Sequence, residues 1–75
     1  MDFARHPDPS GDGPESAIPV ASVSEEYEWV ARNLCQVRFL GQRLQIRGER
    51  PFDVLEFILE TGEKRKVYFD ISAFY

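Results

Sequence analysis

Two segments in which apolar and polar residues alternate, 36–47 and 54–71, constrain what this 75-residue chain can fold into. Alternation with a period of two places every second side chain on the same face of a β-strand. A short amphipathic stretch precedes both segments. This order predicts an α+β domain, in which one N-terminal helix packs on a four-stranded antiparallel sheet made of two consecutive hairpins.

The first segment predicts a hairpin whose two-residue loop is 41–42. With this loop, Phe39 lies opposite Leu44 and Val37 lies opposite Ile46, so each apolar residue meets another on one face. The first loop residue is a glycine, which suits a type II′ turn because that position needs a positive φ. Register and turn chemistry therefore agree on the position of this hairpin.

Residues 53–62 fit two interpretations. They read as a helix that begins at the N-cap Asp53 and ends at Gly62, or as a strand. We favour the strand because the following run, residues 64–71, is β-like and otherwise lacks a local partner. A three-residue loop at 61–63 then joins the two strands. The opposed pairs in that register are Glu60 with Lys64, Phe57 with Val67, and Leu55 with Phe69.

A helix is predicted over about residues 23–34. Ser22 and Glu25 have the spacing of a capping box, in which a hydroxyl and a carboxylate satisfy N–H groups at the start of a helix. Trp29 lies off the apolar stripe of this helix. The residues of that stripe, which we expect to face the sheet, are Val23, Tyr27, Val30 and Leu34.

Residues 1–21 contain four of the five prolines and have little apolar surface. Such a segment cannot offset the entropy lost on ordering, which predicts a disordered tail followed by a folded domain at 22–75. The charge is uneven. Residues 1–31 hold seven acidic and one basic residue, a net charge of −6, whereas residues 32–75 hold eight basic and six acidic, a net charge of +2. The acidic tail is therefore a candidate to fold back onto the basic strands.

No catalytic, metal-binding or cofactor-binding pattern accompanies this scaffold. The single histidine, His6, lies in the tail, and the single cysteine, Cys35, is expected to be a small buried residue. The first residues lack the apolar core of a secretory signal, and no apolar run of about 18 residues is present. We therefore expect a cytoplasmic protein that is not an enzyme, needs no cofactor and has no membrane partner.

Two functional hypotheses follow. A small core, open strand edges and surplus aromatic residues favour a protein-interaction or assembly module, whose partner is another protein or a second copy in a homodimer. The candidate contact residues are Trp29, Tyr68, Phe74 and Tyr75. The alternative is a single-stranded RNA or DNA binder, which the pI of about 4.8 disfavours. Its contact residues would be Arg38, Arg43, Arg47, Lys64, Lys66 and Tyr68.

Overall fold

The structure, a computed structural model, describes residues 10–75. Four strands form one sheet in the order β1-β4-β3-β2, and a single helix packs on one face. The predicted α+β architecture is confirmed. The sheet is mixed rather than purely antiparallel, because β1 runs parallel to β4. The elements are a 3-10 turn at Pro14–Ser16, β1 at Ile18–Pro19, α1 at Val23–Asn33, β2 at Arg38–Arg47, β3 at Arg50–Ile58 and β4 at Lys64–Asp70.

The first predicted hairpin is wrong, because residues 38–47 form one continuous strand. Gly41 lacks the positive φ that the predicted turn requires, whereas Gly48 has a φ of 63°. The loop is therefore 48–49, and β2 forms nine residue pairs with β3. Near its start, β2 has a bulge between Phe39 and Gly41. One long ladder satisfies more backbone groups than two short strands folded on themselves, which favours the later glycine as the turn.

The strand interpretation of residues 53–61 is confirmed by β3, but its predicted register is wrong. Leu55 pairs with Val67 and Phe57 pairs with Arg65, so the loop spans five residues, 59–63. The difference is a shift of two residues. Because side chains alternate with a period of two, this shift leaves every side chain on its predicted face.

Helix α1 begins where its capping residues predict. The Ser22 hydroxyl accepts a hydrogen bond from the Glu25 N–H at 3.3 Å. The Glu25 carboxylate in turn accepts one from the Ala21 N–H at 2.7 Å. The hydroxyl thus caps the helix as predicted, whereas the carboxylate bonds the N–H of Ala21, one residue before the N–H of Ser22 that a capping box would use.

The inward face of α1 differs from the predicted stripe. Val30 and Leu34 do pack against the core. Val23 and Tyr27, however, remain 47% and 45% exposed. Trp29 turns inward instead and packs edge to face on Phe69, with 5.8 Å between ring centroids. The indole covers more core surface than valine, which favours this rotation of the helix.

Residues 10–20, which we term the N-terminal arm, belong to the fold. Ile18 and Val20 are buried in the core. The carbonyl of Gly11 accepts a hydrogen bond from the Tyr68 N–H at 2.7 Å, so the arm covers the outer edge of β4. This arrangement corrects the predicted disorder for residues 10–21. The rest of that prediction, residues 1–9, lies outside the described residues.

Strand β3 is buried on both of its faces. Leu55 and Phe57 lie on the face covered by α1, termed the helix face, and join the core cluster there. Phe52 and Val54 lie on the opposite face, termed the open face, and are also buried. The Arg50 guanidinium lies 5.2 Å from the centroid of the Phe52 ring and helps to cover it. Both sheet faces therefore contribute apolar burial.

We expect the Ile18→Ala variant to lose about 2–4 kcal/mol of unfolding free energy, because it removes a buried side chain from the core. Chemical denaturation of the full chain measures this loss. Ile46→Ala is the matched control, since Ile46 is half exposed and the same truncation there should change stability by less than about 1 kcal/mol. Equal small losses in both variants would show that the N-terminal arm does not stabilise the domain.

Candidate functional site

Strand β2 lies at one end of the sheet, and within the described part of the chain its outer edge has no backbone partner. Arg47 and Arg50 flank a two-residue loop, so their backbone N–H and C=O groups bond to each other. Hydrogen-bonded and non-hydrogen-bonded residue pairs alternate along an antiparallel ladder. The backbone groups of Gln42, Leu44 and Ile46 therefore point away from β3. A ten-residue strand with an open row of N–H and C=O groups is a template for another strand.

The helix face of β2 carries exposed apolar side chains beside this edge. Leu44 and Ile46 are 50% and 49% exposed. Phe39 is 48% exposed, although its ring contacts Phe57 with 5.8 Å between centroids. These side chains lie at the margin of the sheet, where α1 does not cover them.

Two exposed apolar residues also lie on α1. A cleft of about 240 Å³ lies between the helix and β1 and is lined by Trp29 and Ile18, so this side of the helix faces β1. Val23 and Tyr27 lie on the other side of the helix and therefore face β2. Exposed apolar residues gathered on one surface mark interaction sites, whereas scattered ones do not. The exposed apolar residues on the helix face of β2 itself are termed the β2 patch, which consists of Phe39, Leu44 and Ile46.

Sequence analysis assigned the strand residues of this patch to the core, because they faced one another in the predicted hairpin. The sequence signal that could have predicted the observed turn is a second glycine, Gly48. Gly48 and Glu49 offer the same two-residue loop as Gly41 and Gln42, and they leave the whole of β2 free to pair with β3.

The open face gathers all six residues of the nucleic-acid hypothesis. Arg43 lies opposite Val54, which lies opposite Tyr68, and opposed side chains share a face. Six basic and two acidic side chains share this face, a net charge of +4. The basic residues are Arg38, Arg43, Arg47, Arg50, Lys64 and Lys66, and the acidic ones are Glu56 and Asp70.

Part of the N-terminal arm approaches these basic side chains. Glu15 lines a cleft of about 250 Å³ together with Arg47 and Arg50. On the helix face, Asp12 lies 3.6 Å from the guanidinium of Arg65, which is opposite Phe57. One acidic residue of the arm therefore lies near the basic side chains of the open face, and another forms an ion pair with a basic residue of β4 on the helix face.

The four aromatic residues predicted to contact a protein do not lie together. Trp29 is half-buried on the helix face, whereas Tyr68 is half-buried on the open face. Phe74 and Tyr75 are 40% and 67% exposed, and both donate their backbone N–H to the Ile71 carbonyl in a C-terminal turn. They therefore do not continue β4.

The Asp70 carboxylate anchors this turn and ties it to the open face. It accepts hydrogen bonds from the side chain and the backbone N–H of Ser72 and lies 3.1 Å from the Arg50 guanidinium. The bonds from Ser72, and then the contact with Arg50, lower the pKa of Asp70. This carboxylate therefore partly neutralises the basic surface next to it.

Two carboxyl groups are buried between α1 and the sheet. Asp53 lies opposite Leu44 and accepts hydrogen bonds from the side-chain amide of Gln42 at 2.8 Å. Glu26 is fully buried, and neither of its carboxyl oxygens has a hydrogen-bond partner among the described residues. Burial raises the pKa of Glu26 to about 8, and the neighbouring Asp53 carboxylate adds to this rise. The protonated form of Glu26 therefore predominates at neutral pH.

Other sequence expectations can be placed on the structure. Cys35 is exposed and free rather than buried, because it follows the end of α1 instead of lying beneath it. His6 lies outside the described residues. In residues 10–75, no cluster of three or more His, Cys, Asp or Glu side chains could hold a metal ion. No helix in that range has the length and apolarity needed to cross a membrane.

Comparisons with models of protein families, with curated proteins and with solved structures found no match. The function is therefore inferred from the edge and the two faces of the domain. Three clefts on the described surface have volumes of about 180, 250 and 240 Å³. These volumes are below the range of about 300–1,000 Å³ that is typical of ligand pockets, so the larger features are the open edge and the faces.

We expect the free energy of unfolding to fall as pH rises from about 4.5 to about 8, because folded Glu26 keeps a proton that the unfolded chain releases. The slope from one such proton is at most about 1.4 kcal/mol per pH unit. Glu26→Gln should flatten this decline, since an amide stays neutral. Denaturant unfolding across this pH range measures it.

Glu28→Gln, an exposed substitution on the same helix, is the matched control and should keep the wild-type profile. If Glu26→Gln declined with pH as steeply as wild type, Glu26 would not be the group that titrates.

Proposed function

We propose that this domain is a cytoplasmic protein-interaction module that binds an extended segment of a partner protein along β2. The observation that carries the proposal is that an open strand edge and the β2 patch lie side by side. Strand addition uses these two features together, because main-chain hydrogen bonds give affinity and side-chain contacts give selectivity. The exposed, unpaired thiol of Cys35 is in keeping with a reducing compartment.

The two edges of the sheet support this proposal by their contrast. The N-terminal arm covers the outer edge of β4, where Tyr68 donates its N–H to Gly11. An edge that is not used for binding is commonly short, covered, or protected by an inward-pointing charge. Strand β2 is ten residues long, its three arginines all lie on the open face, and its helix face carries apolar side chains and Gln42 but no charge. Its bulge lies near one end and leaves the run from Gln42 to Ile46 regular.

The full chain can be tested against displayed random segments of eight residues. We expect selected segments to shift the backbone amide NMR signals of β2. The Leu44→Lys variant should bind them at least about tenfold more weakly, because it places a charge in the apolar contact. Tyr75→Ser is the control, since Tyr75 is more exposed than Leu44 but lies outside the β2 patch. Selected segments that bind elsewhere, or that ignore Leu44→Lys, would contradict the proposal.

A second candidate function is single-stranded nucleic-acid binding on the open face. The observation that favours it is the gathering of Arg38, Arg43, Arg47, Lys64 and Lys66 on one side of the sheet. Against it, Tyr68 is the only half-exposed aromatic residue on the described strands of this face, whereas stacking surfaces for single strands normally use several. Glu15 and Asp70 also lie next to the basic residues.

This second function predicts that a mixed oligonucleotide pool binds the full chain at low ionic strength. Binding should weaken steeply with added salt, because phosphate contacts release counterions. The double variant Arg43→Glu and Lys66→Glu should abolish it, and Arg32→Glu on the helix should have a smaller effect. Fluorescence anisotropy measures these affinities. An absence of binding at low salt would remove the second function.

A further inference from the structure

We infer that the segment which binds β2 alternates apolar with acidic residues, an inference that rests on the proposed function. Strand β2 contains three arginines and no acidic residue over Arg38–Arg47. This composition differs from that of the whole chain, whose net charge is −4. The edge offered to a partner is therefore a basic strip on an acidic protein.

All three arginines project from the same face of β2. Arg38, Arg43 and Arg47 lie on the open face, and each is exposed. Within residues 10–75 none of the three forms an ion pair. The β2 patch occupies the opposite face of the same strand. The two faces of β2 therefore differ in chemistry, since the apolar side chains lie on one and all the positive charge lies on the other.

A strand added to β2 would extend both faces of the sheet. Its alternate side chains would lie beside Phe39, Leu44 and Ile46 on the helix face, where apolar residues are stabilising. Its remaining side chains would lie beside the arginines on the open face. Opposite charges on neighbouring strands stabilise the pairing, and like charges destabilise it. The complementary segment is therefore five to seven residues of alternating apolar and acidic type, roughly the length of an ordinary strand.

A second copy of this chain fits the same edge poorly. Antiparallel pairing of two β2 strands would place six arginines on one face of the joined sheet, with no acidic residue in either strand. Among the strand residues of that face, the acidic Glu56 lies one strand inward, opposite Lys66. Charge at the edge therefore discourages self-association, as charged residues commonly do on edge strands.

The test uses fluorescently labelled seven-residue peptides and the full chain under reducing conditions, which prevent disulfide-linked dimers through Cys35. One peptide alternates glutamate with valine, the second alternates lysine with valine, and the third alternates glutamate with serine. Anisotropy gives the affinities, amide NMR signals locate the site, and light scattering gives the mass of the protein alone. We expect the glutamate–valine peptide to bind β2 at least about tenfold more tightly than either of the others.

Charge reversal sharpens this test. In the double variant Arg43→Glu and Arg47→Glu, the lysine–valine peptide should become the tighter ligand. Both arginines are exposed, so the fold should tolerate the change. The matched control is Arg32→Glu with Lys64→Glu, which alters the net charge equally but lies away from β2, and it should keep the wild-type preference.

Each other outcome overturns the inference in a distinguishable way. Equal binding of the glutamate–valine and lysine–valine peptides at β2 would overturn the acidic partner but leave the proposed function standing. Binding of the glutamate–serine peptide as tightly as the glutamate–valine peptide would reduce the site to a charge patch. A dimeric mass with protected β2 amides would make a second copy the occupant. Absence of any peptide binding at β2, together with failure of the displayed segments, would overturn both proposals.

Discussion

Strand β3 must be covered on both faces, and the other elements are arranged around that requirement. Leu55 and Phe57 are covered by α1 and by the residues of β4 beside them. On the other face, Phe52 is covered by Arg50 and approached by the N-terminal arm, and Val54 is also buried. A strand that is apolar on both faces belongs in the middle of a sheet. This central position leaves β2 and β4 on either side, each with one edge to satisfy.

The two edges are satisfied by different means. Beside β4 the chain supplies its own cover, because Ile18 and Val20 hold the N-terminal arm in the core while Gly11 accepts from Tyr68. Gly11 is suited to this close approach, since a Cβ there would lie 2.8 Å from the side chains of Ile18 and Val67. Beside β2 no described segment plays this role. The asymmetry separates an edge that the chain covers itself from an edge that stays open among the described residues.

The sequence predicted elements better than it predicted their partners. Ser22 and Glu25 located the start of α1 because capping depends on residues close in the chain. The choice between Gly41 and Gly48 as the turn was not local, since both offer the same loop chemistry and only the length of the ladder with β3 distinguishes them. The same limit applies to the N-terminal arm. Ile18 and Val20 lie among prolines, so the sequence around them suggests disorder. Only the pairing of this segment with the edge of β4 shows that it is ordered.

The buried carboxyl pair links the fold to the proposed binding edge. The side-chain amide of Gln42, on β2, donates hydrogen bonds to the Asp53 carboxylate. Leu44 of the β2 patch lies opposite Asp53. Burial raises the pKa of Glu26, and the neutral form of this side chain is the one that packs between α1 and the sheet without a desolvated charge. A second buried charge next to Asp53 would weaken the attachment of α1 to the sheet. Protonation of Glu26 therefore favours the packing of the helix on the strands that support the β2 patch.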